Sequence, residues 1–147
     1  MTDTFDRVPR HTSEEVNRQI QAQIRRDVRH FAAHPDQIPG RLLELRKEWD
    51  IERAIEANAS ILAFSGTVLG ATGDRRWLAL PALVTAFLFQ HAVQGWCPPV
   101  PVLRRLGFRT AHEIEQERTA LMALRGDFNT IAGSQDKAAA ALAAAGL

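Results

Sequence analysis

The sequence predicts an all-α protein: a two-helix transmembrane hairpin flanked by amphipathic cytoplasmic helices. Three observations carry this expectation. The 43 residues Ala54–Trp96 hold only four charged side chains, Glu56, Asp74, Arg75 and Arg76. Gly73-Asp74-Arg75-Arg76 divides that stretch near its middle with a short charged turn. On either side, charged and apolar residues alternate with a helical period. The chain thus divides into an amphipathic N-terminal arm (1–53), a hairpin with its exit (54–110) and a C-terminal helix with an alanine-rich tail (111–147).

The first apolar segment runs from about Ala54 to Thr72 and the second from about Trp77 to Trp96. As a helix, each would reach about 30 Å, one hydrocarbon core. The turn between them is short enough to make them antiparallel neighbours. Their uninterrupted apolar cores, Ile61–Ala71 and Trp77–Phe89, are shorter. That length also occurs in buried helices, so a soluble helical bundle remains the alternative. Glu56, Asn58, Gln90, His91 and Gln94 lie at the two ends that would share one membrane face. A polar group there costs far less than one at mid-membrane. Pro81 falls in the first turns of the second segment, where its missing N–H matters least.

Ala59, Ala63, Gly66 and Gly70 recur at steps of four, three and four along the first segment. Small residues in such a row let two helix backbones approach closely in lipid. The row therefore marks a candidate interface, for a second copy of the chain or for tight packing within the hairpin. Orientation follows from the flanking cations. Arg41, Arg46, Lys47 and Arg53 precede the pair, Arg104, Arg105, Arg109 and Arg118 follow it, and the turn has only Arg75 and Arg76. Both termini are expected in the cytoplasm. The first fifteen residues, with Asp3, Asp6, Glu14 and Glu15, do not read as a secretory signal.

In the N-terminal arm, Thr12 with Glu15 reads as a capping box. Val16, Ile20, Ile24, Val28 and Phe31 form a narrow apolar stripe flanked by Arg18, Arg25, Arg26 and Arg29. This helix should end near His34, before Pro35. Pro39-Gly40 reads as a break. A second helix is expected from Arg41, with Leu42, Leu45 and Trp49 on one face; nothing between Arg41 and Ala54 demands a stop, which leaves a direct run into the first apolar segment open. Beyond Trp96, Pro98, Pro99 and Pro101 forbid a continuing helix, and Val102, Leu103, Leu106 and Phe108 suit a short interfacial piece. Thr110 with Glu113 opens a helix to about Arg125, with Ile114, Leu121, Leu124 and Phe128 as its apolar face and Gly126 as terminator. Glu113 and Glu117 read as a solvated face. The tail from Lys137 is mostly alanine and reads as marginal helix or disorder.

Composition limits function. Eighteen Lys and Arg against seventeen Asp and Glu give a net charge of +1, without the basic excess of a nucleic-acid binder. A single cysteine excludes an intramolecular disulfide framework and cysteine-rich zinc modules. His30 and His34 have the spacing of helical metal ligands, but no HExxH or second cluster accompanies them, so neither a metal nor a cofactor is expected. Cys97, in Gly95-Trp96-Cys97-Pro98-Pro99, is the candidate thiol, with His91 as its possible helper. Arg104 and Arg105 would lower its pKa, whereas a helix C-terminus and apolar neighbours would raise it. Position 103 is Leu and position 102 is Val, where a phosphatase or a rhodanese loop would place an arginine.

The glycines late in the first segment, Gly66 and Gly70, the exit Gly95-Trp96-Cys97-Pro98, and the following Val102-Leu103-Arg104-Arg105-Leu106-Gly107 resemble the YgaP-like inner-membrane transmembrane domain family of bacteria. The resemblance spans Ala54–Thr110. It implies a small, multi-pass protein of the bacterial inner membrane, of a kind sometimes fused to a rhodanese domain that this sequence lacks. Two functions follow as expectations. One is a non-enzymatic anchor or assembly module whose partners are the lipid bilayer, a second copy through the first transmembrane helix, or a cytoplasmic protein through the helical arms. The other is a sulfur-relay or redox protein carrying a persulfide on Cys97.

Overall fold

A computed structural model describes residues 7–145, and every regular element among them is helical. In chain order these are α1 (Arg7–Arg10), α2 (Glu14–Ala33), α3 (Ile38–Leu45), α4 (Ile51–Thr72), α5 (Ala79–Gln94), α6 (Val100–Arg105), α7 (Ala111–Arg125), α8 (Asn129–Gly133) and α9 (Lys137–Ala145). Single 3₁₀ turns, Pro35–Gln37 and Arg75–Leu78, precede α3 and α5. The chain forms two units. One comprises residues up to Ile20 with Trp49–His112, and the other comprises Gln21–Glu48 with residues from Glu113 onward.

The first unit contains the hairpin. α4 and α5 are both long and apolar enough to cross a membrane when α5 is taken with its 3₁₀ lead-in. Asp50 caps α4, its carboxylate accepting from Arg53 N–H at 2.7 Å. This cap ends the run from α3 that the sequence left open. Trp49 is thus outside any helix, half exposed, with the Arg53 guanidinium 4.4 Å above its ring. At the far end, Asp74 accepts from Arg76 N–H at 2.9 Å and shapes the turn into α5.

Gly66 and Gly70 are buried against α5 and the 3₁₀ turn that leads into it. A Cβ on Gly66 would stand 2.6 Å from Pro81 Cδ, and one on Gly70 2.6 Å from Leu78 Cδ2. The small-residue face is thus occupied within the hairpin, with Ala59 and Ala63 half-buried in the same row.

Hydroxyls in the apolar segments bond back to their own helices. Thr67 donates to Ala63 O, Thr72 to Val68 O and Thr85 to Pro81 O, each at 2.8 Å. Where a soluble core helix would be mostly covered, only 22% of the apolar window of α4 and 6% of that of α5 is buried. Ile61, Phe64, Leu83, Phe89 and Val93 all face outward.

At its foot the hairpin packs on a small core of Val8, Ile51, Ile55, Cys97 and Val100, with Phe87, Leu88, Leu103 and Phe108 against it. Ile51 N–H donates to Arg109 O at 2.9 Å. α5 ends at Gly95, which is left-handed at φ +75°, with its N–H on His91 O at 2.7 Å. Helix α6 then starts through Pro99 and Pro101. Arg104, expected at an interface or near the thiol, is buried and donates to Phe108 O at 3.2 Å and Asn17 Oδ1 at 3.0 Å.

The second unit has a separate core of Ile38, Leu42, Leu45, Ile114, Leu121 and Met122, with Phe31 packed on it. Arg41 crosses from α3 to α7, donating to Glu117 Oε1 at 2.8 Å and to Glu44 at 3.1 Å. Glu117 is fully buried and Glu113 nearly so, which corrects their reading as a solvated face. Leu124 and Phe128, expected in the apolar face, are exposed.

Two local readings also change. Pro39 lies in the first turn of α3, which it starts rather than breaks. The Thr12 hydroxyl donates to Val8 O at 2.9 Å, while Glu15 accepts from Arg18 and Gln19, so the two form no capping box. α2 instead begins after Ser13, whose carbonyl accepts from Asn17 N–H. The stripe from Val16 to Phe31 is buried or half-buried as the periodicity predicts, and Gly126 ends α7 at φ +89°.

Candidate functional site

The first turn of α4 and the last turn of α5 form the foot of the hairpin. Glu52 and Glu56, four residues apart, lie on one face of α4. His91 reaches the same place from α5. Arg7 and Val8 of α1 and the start of α7, Thr110 to His112, complete the wall around a cleft of about 460 Å³. Leu88, Ala92 and Gly95 give it an apolar side.

Gly95 is required here twice over. Its left-handed backbone suits glycine, and a Cβ would stand 2.7 Å from the Arg7 carbonyl carbon. This close approach seats α1 against the end of α5. There the Arg7 guanidinium donates to the Ala92 carbonyl, one of the α5 carbonyls left without a helical partner.

Two polar atoms of the cleft residues are buried without a hydrogen bond, His91 Nδ1 and Glu52 Oε2. His91 is only 9% exposed. Buried polar atoms are nearly always paired, so two such atoms beside one cavity single this cleft out. Glu56, more exposed, adds a second carboxylate.

Of the residues singled out in sequence, His91 lines this cleft and Cys97 does not. Cys97 is 5% exposed in the core with Val8, Ile51, Ile55 and Val100. Burial pushes its thiol above the ordinary range, with no compensating charge from Arg104 or Arg105. The balance between opposing influences expected from sequence is therefore tipped upward. Ala59, Ala63, Gly66 and Gly70 lie farther up the hairpin. His30, exposed on α2, and His34, just past its end, stack with ring centroids 4.5 Å apart, and no cluster fit to hold a metal ion occurs among the described residues.

The sequence puts Glu56 and His91 at a common end of the two segments, and folding joins Glu52 and Arg7 to them. The available signal was the Glu52/Glu56 spacing at the start of one apolar segment and a histidine at the end of the other. No family model, curated protein or solved structure matches the chain.

Proposed function

We propose that this chain is an integral membrane protein whose α4–α5 hairpin crosses the bilayer and whose helical arms stand in the cytoplasm, serving as a non-enzymatic anchor or assembly module. One observation carries the reading: the apolar side chains of the hairpin point outward along most of its length. Water would leave large apolar areas uncovered there, whereas lipid would cover them. The back-bonded threonines support it, because a bilayer offers hydroxyls no other partner.

Placement in a bacterial inner membrane, with both termini cytoplasmic, is part of this proposal. It rests on the cation count around the hairpin and on the YgaP-like resemblance of the Gly95–Pro98 exit. With the small-residue face occupied by α5, self-association through Gly66 and Gly70 would have to displace that helix. The arms are then the surfaces open to a cytoplasmic protein. Burial of Cys97 weighs against the persulfide-relay reading, since a thiol must be exposed and ionised to accept sulfur.

The topology is tested with a reporter active only in the periplasm, fused after Leu147. Silence is expected, and activity there would reverse the orientation.

A further inference from the structure

The foot of the hairpin carries a tryptophan and an arginine that the rest of the unit leaves uncovered. Trp49, just before the Asp50 cap, is half exposed, and the Arg53 guanidinium lies 4.4 Å from the centre of its ring. Both belong to the unit that contains the hairpin. Arg53 is exposed, and among the described residues it has no ion pair. The Asp50 carboxylate is engaged by its backbone N–H, and Glu56, one turn on, lines the cleft with His91. A guanidinium resting on an indole keeps its planar fork of N–H donors for an anion.

The pair also stands where a bilayer would end. Arg53 and Phe64 are eleven residues apart on α4, about three turns, so they share one face of the helix. Ser60 and Thr67 lie on that face too, and all four are exposed. Gly66, which Leu80 and Pro81 cover, falls on the far side. Along α4, Arg53 lies ~16 Å from Phe64, about half a hydrocarbon core, and ~28 Å from Thr72, close to a whole one. A cation on the lipid-facing side at this level meets headgroups, and a tryptophan beside it suits the same boundary.

We infer that Trp49 and Arg53 form a site for the phosphate of a membrane phospholipid in the leaflet at the foot of the hairpin. The guanidinium takes the phosphate, and the indole packs beside the upper acyl chain. The inference rests on the bilayer reading of the hairpin and adds to it a specific lipid contact.

Trp49 is its own reporter. In the full chain, Trp77→Phe and Trp96→Phe leave it as the only tryptophan. This protein, in an uncharged sugar detergent, is offered phosphatidylglycerol or diacylglycerol carrying the same brominated acyl chains. Quenching of Trp49 is read against the mole fraction of lipid. Phosphatidylglycerol should be enriched at Trp49 about fivefold or more over random mixing, as a charge-assisted contact predicts. Diacylglycerol, which lacks the phosphate, should follow random mixing. Arg53→Gln should bring phosphatidylglycerol down to the diacylglycerol level. Arg53 is exposed and gives the cap only its backbone N–H, so this substitution leaves the fold in place. If the Trp96 replacement does not fold, the Trp77→Phe chain is read with and without Trp49→Phe, and the difference belongs to Trp49.

Equal quenching by the two lipids overturns the inference and leaves the bilayer reading standing. A phosphatidylglycerol preference that survives Arg53→Gln overturns it as well, since another cation would then hold the phosphate. No quenching by either lipid overturns it together with the bilayer reading, because the foot of the hairpin would then meet no acyl chains.

Discussion

The hairpin and the unit around α3 and α7 are arranged in opposite ways. Around α3 and α7 a core of Ile38, Leu42, Leu45, Ile114, Leu121 and Met122 points inward, and the fully buried carboxylate of Glu117 is held by Arg41 at 2.8 Å. In the hairpin the apolar side chains point outward, and the threonine hydroxyls bond back to their own helices. Two glycines, rather than an apolar core, let its helices meet. The first arrangement is what water selects. The second suits a solvent that offers apolar contact and no hydrogen bonds. Under the proposed bilayer reading, the contrast amounts to similar helices arranged for two solvents within one chain.

The sharpest way to break this comparison is to remove the buried acid. Glu117→Ala removes the fully buried partner of the Arg41 guanidinium, and should cost the α3–α7 unit about 3 kcal/mol or more. Urea unfolding followed by circular dichroism checks it, and a loss below about 1 kcal/mol would mean that Asp27 and Glu44 hold Arg41 without it.

Next in size is a charge on the outer face of the hairpin. Phe64 is 72% exposed, so Phe64→Asp should be nearly neutral for a protein in water. In a bilayer it should cost roughly 2.5–3.5 kcal/mol of insertion. The membrane-bound fraction on expression distinguishes these outcomes.

Gly66→Leu and Gly70→Leu should each force α4 and α5 apart, at about 1–3 kcal/mol. Crosslinking between cysteines placed on the two helices should weaken in both variants, and unchanged crosslinking would remove the glycines from the packing account.

The smallest effect concerns Cys97. Burial raises its thiol pKa in the folded chain. The folded state therefore keeps the proton to higher pH than the unfolded chain does. Its contribution to stability is complete below the ordinary thiol range and is lost as pH rises through and above it. Alkylation should be slow at neutral pH and speed up only in alkali or on unfolding. Rapid modification at pH 6 would restore the relay reading. Cys97→Ala should change stability at neutral pH by about 1 kcal/mol and leave abundance nearly unchanged.

Much of this fold was legible because its signals are local. The charge-poor stretch placed both helices of the hairpin to within a few residues, the stripe from Val16 to Phe31 found the inner face of α2, and the prolines after Cys97 and the glycine at 126 marked helix ends. Errors arose where a residue has two local meanings. Pro39 can break a helix or start one, and the same Thr12 that could cap α2 bonds back to Val8 instead. Asp50, three residues before the Arg53 N–H it accepts from, is a cap written locally in the sequence. Tertiary pairing was not legible. Glu117 is buried because Arg41, 76 residues away, reaches it, and neither sequence neighbourhood announces the other. The cleft was half legible: the polar ends of the hairpin pointed to one level, but Arg7 and the start of α7 join it only through folding.

The central claim is that the outward apolar face of α4 and α5 is covered by lipid, and alkaline carbonate extraction of membranes from cells expressing the full chain tests it most directly. The chain should stay with the membrane pellet after the wash. Recovery in the supernatant would contradict the account and make the hairpin part of a soluble helical assembly.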